Sequence, residues 1–308
     1  MTDAGRGRFA RGRAGNSLGP VRSRVRINAY VLAADPWWLE ASIGAYYPVV
    51  DRIVVSYDQD STSWTGTVLP VDECLDRIRA IDVDGKCDFR PGHYARPDHE
   101  PLDNDTFQRS EALAAASDGC DWVLQLDTDE VILDLGEFVS CLEEADLRGA
   151  TALEYPSRYL YGRTRNGRFL EMSSRTWGTI GNYPGPVAVV AGTVPRHARQ
   201  ADVSPFRVDF APNNTDPRHP SDATVHRVIS PESGILHYWW VRSDEHMRRK
   251  AGWSGHADTY SEPKRLRDWR WRQRHPLLTA LSAPFQPVDN RFRITTLPER
   301  RRRWVGEP

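Results

Sequence analysis

Apolar and polar positions keep a regular spacing through the first half of the chain. The run Val25-Arg26-Ile27-Asn28-Ala29-Tyr30-Val31 alternates and predicts a first strand. Asp35-Pro36 predicts a helix over residues 37–43, with Asp35 as N-cap and Pro36 at the first helical position. Arg52-Ile53-Val54-Val55-Ser56-Tyr57 predicts a second strand that ends in acid at Asp58. Strand, helix, strand in that order implies a right-handed βαβ unit. Apolar residues recur at helical spacing over residues 71–81, and residues 106–116 predict a helix that leads into the most informative stretch of the chain. That stretch, residues 121–132, is a short apolar run ending abruptly in Asp127-Thr128-Asp129-Glu130. It predicts a buried strand with carboxylates at its C-terminal tip.

Beyond residue 150 the periodicity weakens. Ala152-Leu153-Glu154-Tyr155-Pro156 reads as a strand and residues 163–167 as a hairpin turn, while residues 178–222, rich in Pro, Gly and Asn, predict irregular structure. Residues 243–251 open with a serine and two acids and close with cations, the charge order that suits a helix. Residues 265–274 interleave Arg with Trp, fitting either packing on the core or contact with an anionic acceptor. Residues 1–20 contain almost nothing apolar and predict a disordered Arg/Gly tail; residues 299–308 predict a frayed end.

Composition narrows the function classes. A chain of 308 residues can bury a full core, and 39% hydrophobic with 27% charged residues is ordinary for a soluble globular protein. A net charge of −1 argues against a general polyanion binder, so no nucleic-acid partner is expected. All but three of the 41 basic residues are arginine, which suits bidentate phosphate binding; the lysines are Lys86, Lys250 and Lys264. Eleven tryptophans, clustered after residue 237, suggest sugar-stacking surfaces, an aromatic lid or core packing. Cys74, Cys87, Cys120 and Cys141 form no C-x-x-C pair, which predicts reduced thiols and a cytoplasmic protein. No apolar run approaches the roughly 18–20 residues of a membrane span, so peripheral membrane contact is the most that is expected.

The acids carry the candidate chemistry. Carboxylates at i and i+2 leave a strand on the same face, so Asp127 and Asp129 together could hold one hard divalent cation, Mn²⁺ or Mg²⁺, which in turn binds phosphate oxygens. Ligands of open α/β sheets bind beyond the carboxyl ends of the strands, where Asp35, Asp58 and Asp127 would gather. His93 and His99, six apart in a Pro- and Asp-rich loop, read as an exposed pair.

Arg109-Ser110-Glu111-Ala112-Leu113 followed by Leu126-Asp127-Thr128-Asp129-Glu130 resembles the family 2 glycosyltransferases, which have the GT-A fold. By that resemblance Asp35 and Asp58 hold the base and ribose of a nucleotide, Arg109 approaches it or its phosphates, and Asp127 and Asp129 carry the metal and ribose contacts. A second block, His226, His237-Tyr238 and Lys250, is similar to the lipopolysaccharide-core subgroup. The chain departs from that pattern at Arg227, where many relatives have a glutamate that acts as base, and this leaves the base and the stereochemical course open. His226, Glu232 and Asp209 stand as candidate bases. His237, after the apolar Ile235-Leu236, would complete a metal site with Asp127 and Asp129, and Lys250 would clamp the departing diphosphate.

The resemblance implies a single-domain, Rossmann-like GT-A α/β fold, its mixed sheet flanked by helices, with an irregular C-terminal acceptor-side extension. Within it, residues 21–150 form the nucleotide-sugar-binding half, 151–260 the acceptor-side half with His237, and 261–308 an Arg/Trp-rich extension. The expected function is metal-dependent transfer of a sugar, with inversion, from a nucleoside diphosphate sugar to the hydroxyl of a glycan or small-molecule acceptor. The alternatives are a nucleotidyltransferase and a catalytically silent carbohydrate- or nucleotide-binding protein.

Overall fold

The computed structural model describes residues 25–219, 222–253 and 263–297. The expected tail at 1–20 and frayed end at 299–308 lie outside the described residues. Among the described residues the strands form two sheets. The first begins with β1 (Ile27–Leu32), β2 (Arg52–Asp58), β3 (Cys87–Gly92) and β4 (Trp122–Leu124). β1 pairs in parallel with β2 and β4, and β2 in parallel with β3. Five of the six β1 residues are buried, as expected for a central strand covered on both faces. Helices α1 (Leu39–Tyr46), α2 (Val71–Ile81), α3 (Pro101–Ala116) and α4 (Leu135–Leu147) flank the sheets, and α2 lays Val71, Cys74, Leu75 and Ile78 on the core.

The chain leaves this sheet after Leu124, and β5 (Glu130–Ile132) belongs to the second one. Residues 125–129 therefore bridge two sheets instead of ending one strand, which corrects the expected strand tip. Ionic and backbone bonds fix the bridge as a turn: Glu130 N donates to Asp127 O at 3.0 Å, and Asp127 N donates to Glu130 Oε2 at 3.0 Å. The helix expected from Asp35-Pro36 starts later, at Leu39, with Trp38 as an N-cap that makes no side-chain cap bond. Asp35 Oδ1 accepts from Trp37 N at 3.1 Å, closing a local turn before the helix.

Residues 178–222 hold more regular structure than their Pro and Gly content predicts. β9 (Ala188–Val190) inserts antiparallel between β4 and β6 (Ala152–Glu154), and β10 (Pro205–Asp209) pairs in parallel with β6. Buried backbone on the growing sheet must be paired, and that demand overrides weak local propensity. β11 (Arg227–Val228) closes this edge, so the first sheet runs β11-β10-β6-β9-β4-β1-β2-β3. The second sheet adds β7 (Ser157–Arg163), β8 (Phe169–Met172), β12 (Ile235–His237) and β13 (Phe292–Thr295) in the order β13-β8-β7-β12-β5. The hairpin expected at 163–167 joins β7 to β8. Helices α5 (Asp244–Trp253), α6 (Pro263–Arg274) and α7 (Pro276–Leu281) complete the C-terminal region. The whole is a mixed α/β architecture of Rossmann-like, GT-A type.

An ion cluster ties the second sheet together. Arg158 grips the buried Glu171 with Nε and NH2 at 2.7 and 2.8 Å, and Arg293 NH2 adds a bond at 3.0 Å. Burial opposes the charge on Glu171, but the two guanidiniums outweigh it and lower the carboxyl from its usual range. A depressed native pKa stabilises the fold above the unfolded value, near 4.3, and the stabilisation disappears as pH falls through the native value. The urea midpoint of Glu171→Gln should therefore lie below wild type at pH 7, and the gap should shrink as the pH drops through the carboxylate range. A gap that stays constant with pH would remove this assignment.

Candidate functional site

A cavity of about 620 Å³ opens beyond the carboxyl ends of β1, β2 and β4, at the seam of the two sheets. Its walls include Asp35, Asp58, Arg109, Asp127, Asp129, His237 and Lys250. The loop after β1 brings Asp35, the last residue of β2 is Asp58, α3 brings Arg109, the 125–129 bridge brings the Asp-x-Asp pair, β12 ends at His237, and α5 carries Lys250. Asp58 is not free to turn: its oxygens accept from the backbone N–H of Asp60, Thr62 and Tyr94 at 3.1, 3.0 and 2.8 Å.

The bridge splits the Asp-x-Asp pair between two sets of partners. Asp127 Oδ1 accepts from Arg109 NH2 at 2.8 Å, while Arg109 Nε bonds Asp105, one turn earlier on α3, at 2.7 Å. Burial works against the Asp127 charge, yet Arg109 and Arg199 hold its carboxyl down at about 2. Asp129 Oδ2 accepts from Lys250 Nζ at 2.6 Å and Arg242 NH2 at 2.8 Å, and its Oδ1 faces His237 Nε2 at 3.3 Å. Burial again opposes ionisation, and Lys250, His237 and Arg242 together keep the group well below the usual carboxylate range. Arg242 also reaches Asp35 Oδ2 at 2.7 Å. Two buried arginines, Arg242 and Arg199, thus stand behind the acids. Arg199 grips Glu130 with two bonds of 2.7 Å.

This geometry bears on a metal. Among the described residues no three His, Cys, Asp or Glu side chains stand together as a ligand set, and Asp127, turned to Arg109, does not join Asp129 and His237. Asp129 and His237 are left facing each other, and the carboxylate is also held by Lys250 and Arg242. Their Oδ1 and Nε2 are 3.3 Å apart. His237 Nδ1 is buried without a hydrogen-bond partner and faces Glu130 Oε1 at 3.7 Å, while both oxygens of Glu130 are held by Arg199.

The three candidate bases are not brought to the cavity. His226 stacks on Phe206, and its Nδ1 accepts from the Arg207 backbone at 3.0 Å. Asp209 is fully buried and holds the 210–215 loop through Phe210 N and Thr215 N. Glu232 sits in a short 3-10 turn beside Ser230. Arg227 bonds Glu137 and Glu144 of α4 at 2.6 and 3.2 Å, linking β11 to that helix. The cavity instead contains a pair that the sequence reading passed over as loop. In Asn214-Thr215-Asp216-Pro217-Arg218-His219, the buried Asp216 accepts from Arg218 N at 2.9 Å, and its Oδ2 lies 2.8 Å from His219 Nδ1. A carboxylate only accepts, so Nδ1 carries the proton and Nε2 is left as the basic nitrogen. The i, i+3 spacing around a proline was the available signal.

Fold and site together define a class: a GT-A type α/β protein with an ionic cavity at the carboxyl edge of its parallel strands. No family model and no curated protein matches the chain. Among solved structures it is similar to 4-diphosphocytidyl-2C-methyl-D-erythritol synthase from Anaerococcus prevotii, at 16% identity and TM-score 0.33, covering 55% of this chain and 73% of that one. It is also similar to a mannosyltransferase from Pyrobaculum calidifontis solved with GDP-Man and Mn²⁺, at 12% identity and TM-score 0.32, covering 44% and 36%. A third similarity is to mannose-6-phosphate isomerase from Helicobacter pylori, at 13% identity and TM-score 0.29, covering 43% and 51%. The chain thus spans about a third and a half of the last two.

Proposed function

We propose that the protein is a glycosyltransferase that moves a sugar from a nucleoside diphosphate sugar to an acceptor hydroxyl. The observation that supports this most is the convergence of Asp35, Asp58, Arg109, Asp127, Asp129, His237 and Lys250, from separate segments of the chain, on one cavity. Asp58, with the apolar Leu69 and the indole of Trp64 beside it, forms the nucleoside end. Arg109 and Lys250 supply charge for the diphosphate. Asp129 and His237 would hold a divalent cation, Mn²⁺ or Mg²⁺, which when bound neutralises charge on the leaving diphosphate.

His219 provides the acceptor side. Its Nε2 takes the proton from the acceptor hydroxyl as that oxygen bonds the anomeric carbon. The carbon–oxygen bond to the diphosphate breaks, and its electron pair leaves with the diphosphate. Asp216 holds the ring in the required tautomer and balances the imidazolium. Attack from the face opposite the leaving group inverts the anomeric centre.

The donor site is tested by thermal unfolding. UDP, GDP or dTDP at about 100 times its Kd should raise Tm by roughly 5 °C, because binding to the native state contributes about 2.7 kcal/mol at that excess. The rise should be larger with Mn²⁺ than with EDTA. Equal rises would remove the cation from the proposal, and no rise with any of the three would remove the donor site. Pyrophosphate release from a nucleoside triphosphate and a sugar phosphate would identify a nucleotidyltransferase instead.

A further inference from the structure

One face of the C-terminal region combines charge and exposed apolar surface in a way the cavity does not explain. Residues 263–285 carry six basic side chains and one acid, within a chain whose net charge is −1. The inward side of α6 is fully committed. Trp269 is buried and donates Nε1 to the carbonyls of Tyr161 and Trp240 at 3.1 Å; Arg270 pairs with Asp244, and Arg272 bonds Asn290. The outward side presents Lys264, Arg267, Trp271 and Arg274, all exposed. These positions fall at i, i+3, i+7 and i+10, one stripe along the helix.

The next helix, α7, touches α6 and leaves large apolar side chains exposed. Leu277 is 63% exposed, Leu278 57%, Leu281 66% and Phe285 88%. Leu277 and Leu281 line a shallow groove with Trp177, Ala280 and Ile294, and Arg293 stands at its rim. Trp177 holds a left-handed backbone conformation, φ 59°, and its Nε1 donates to the Ala280 carbonyl at 2.7 Å. A half-exposed indole is thus fixed in place beside the leucines. Large apolar side chains left in water beside a cationic helix stripe suit an interface that is itself apolar below and anionic at its surface.

From this complementarity we infer that residues 264–285 dock the protein peripherally on an anionic lipid bilayer. The arginines and lysine meet the lipid headgroups, while Leu277, Leu278, Leu281, Phe285 and the indoles of Trp177 and Trp271 enter the headgroup boundary. Phe285 lies four residues before Asp289, which lines the cavity with Arg218, so at most about 14 Å of chain separates the docked face from the cavity wall. An acceptor presented at the membrane would reach the cavity from that side. The docking itself does not rest on the proposed transfer reaction.

The test is sedimentation of the full chain with vesicles of phosphatidylcholine containing phosphatidylglycerol, beside vesicles of phosphatidylcholine alone. Binding is expected to the mixed vesicles, much less to the neutral ones, and to fall as salt is raised. The triple variant Leu277→Gln, Leu281→Gln, Phe285→Ser changes only exposed side chains, so its Tm should match wild type while its binding falls about tenfold or more. Absence of binding to the mixed vesicles overturns the proposal. Undiminished binding by the triple variant does so too, since the anionic surface would then be held by some other part of the chain. A wild-type dimer in light scattering that the variant converts to monomer would show that the face meets a second copy of the chain instead.

Discussion

His219→Ala should lower the turnover of a bound nucleotide sugar by about 10²–10⁴-fold, the range for losing a positioned general base. Donor affinity should stay near the wild-type value, because His219 belongs to a different segment of the chain from Asp129, Lys250 and Arg109. Hydrolysis of the donor in the absence of acceptor provides the assay, with water in place of the hydroxyl and the same proton to remove. Asp216→Asn should cause a smaller loss: the amide keeps the size of the side chain but no longer balances the imidazolium. Added imidazole should restore part of the rate to His219→Ala and none to a variant that is merely misfolded. If His219→Ala hydrolyses donor at the wild-type rate, the pair is a structural clasp for the 214–219 loop and the base lies elsewhere. An intact donor-induced Tm rise in that variant would keep the donor site standing independently of the base.

The second large effect is on stability. Arg199→Met should cost about 3–5 kcal/mol, read as a lowered urea midpoint, because it leaves the carboxyl of Glu130 buried and without its bidentate partner. The damage should extend to function. Glu130 Oε2 also accepts from Asp127 N, and Arg199 NH1 donates to the Gln125 carbonyl at 2.8 Å, so the pair holds both ends of the bridge that presents Asp127 and Asp129. Arg199→Met combined with Glu130→Gln removes both charges and should recover part of the lost stability. A single variant with an unchanged midpoint would show that water reaches Glu130 and that the pair is not needed to fix the bridge. The same reasoning applies to Asp129→Ala. With Arg242 and Lys250 both bonded to it, that carboxylate is part of the buried ionic network, so its removal should cost stability as well as donor binding.

Local pattern was enough for much of this protein. The buried runs of β1 and β2, the one-sided apolar spacing of α2, the hairpin after β7 and the charge order of α5 all arise within a few residues of chain, and the structure places them where the pattern does. Asp58 at the end of β2 and the acids that follow β1 and β4 were legible for the same reason, since strand order alone puts them on one edge of a parallel sheet. What stayed hidden depends on partners far away in sequence. Arg199 meets Glu130 from 69 positions away, and Arg242 meets Asp129 and Asp35 from 113 and 207. In a chain so rich in arginine, nothing local separates a buried guanidinium from a solvated one. β9 and β10 form in a stretch of poor propensity because the neighbouring strands offer unpaired backbone to complete. Likewise, the Asp-x-Asp segment was visible as chemistry but not as geometry. Whether its carboxylates share one face or part toward different cations is decided by where β5 pairs and by the cations that close around each acid, and only the tertiary structure brings those together.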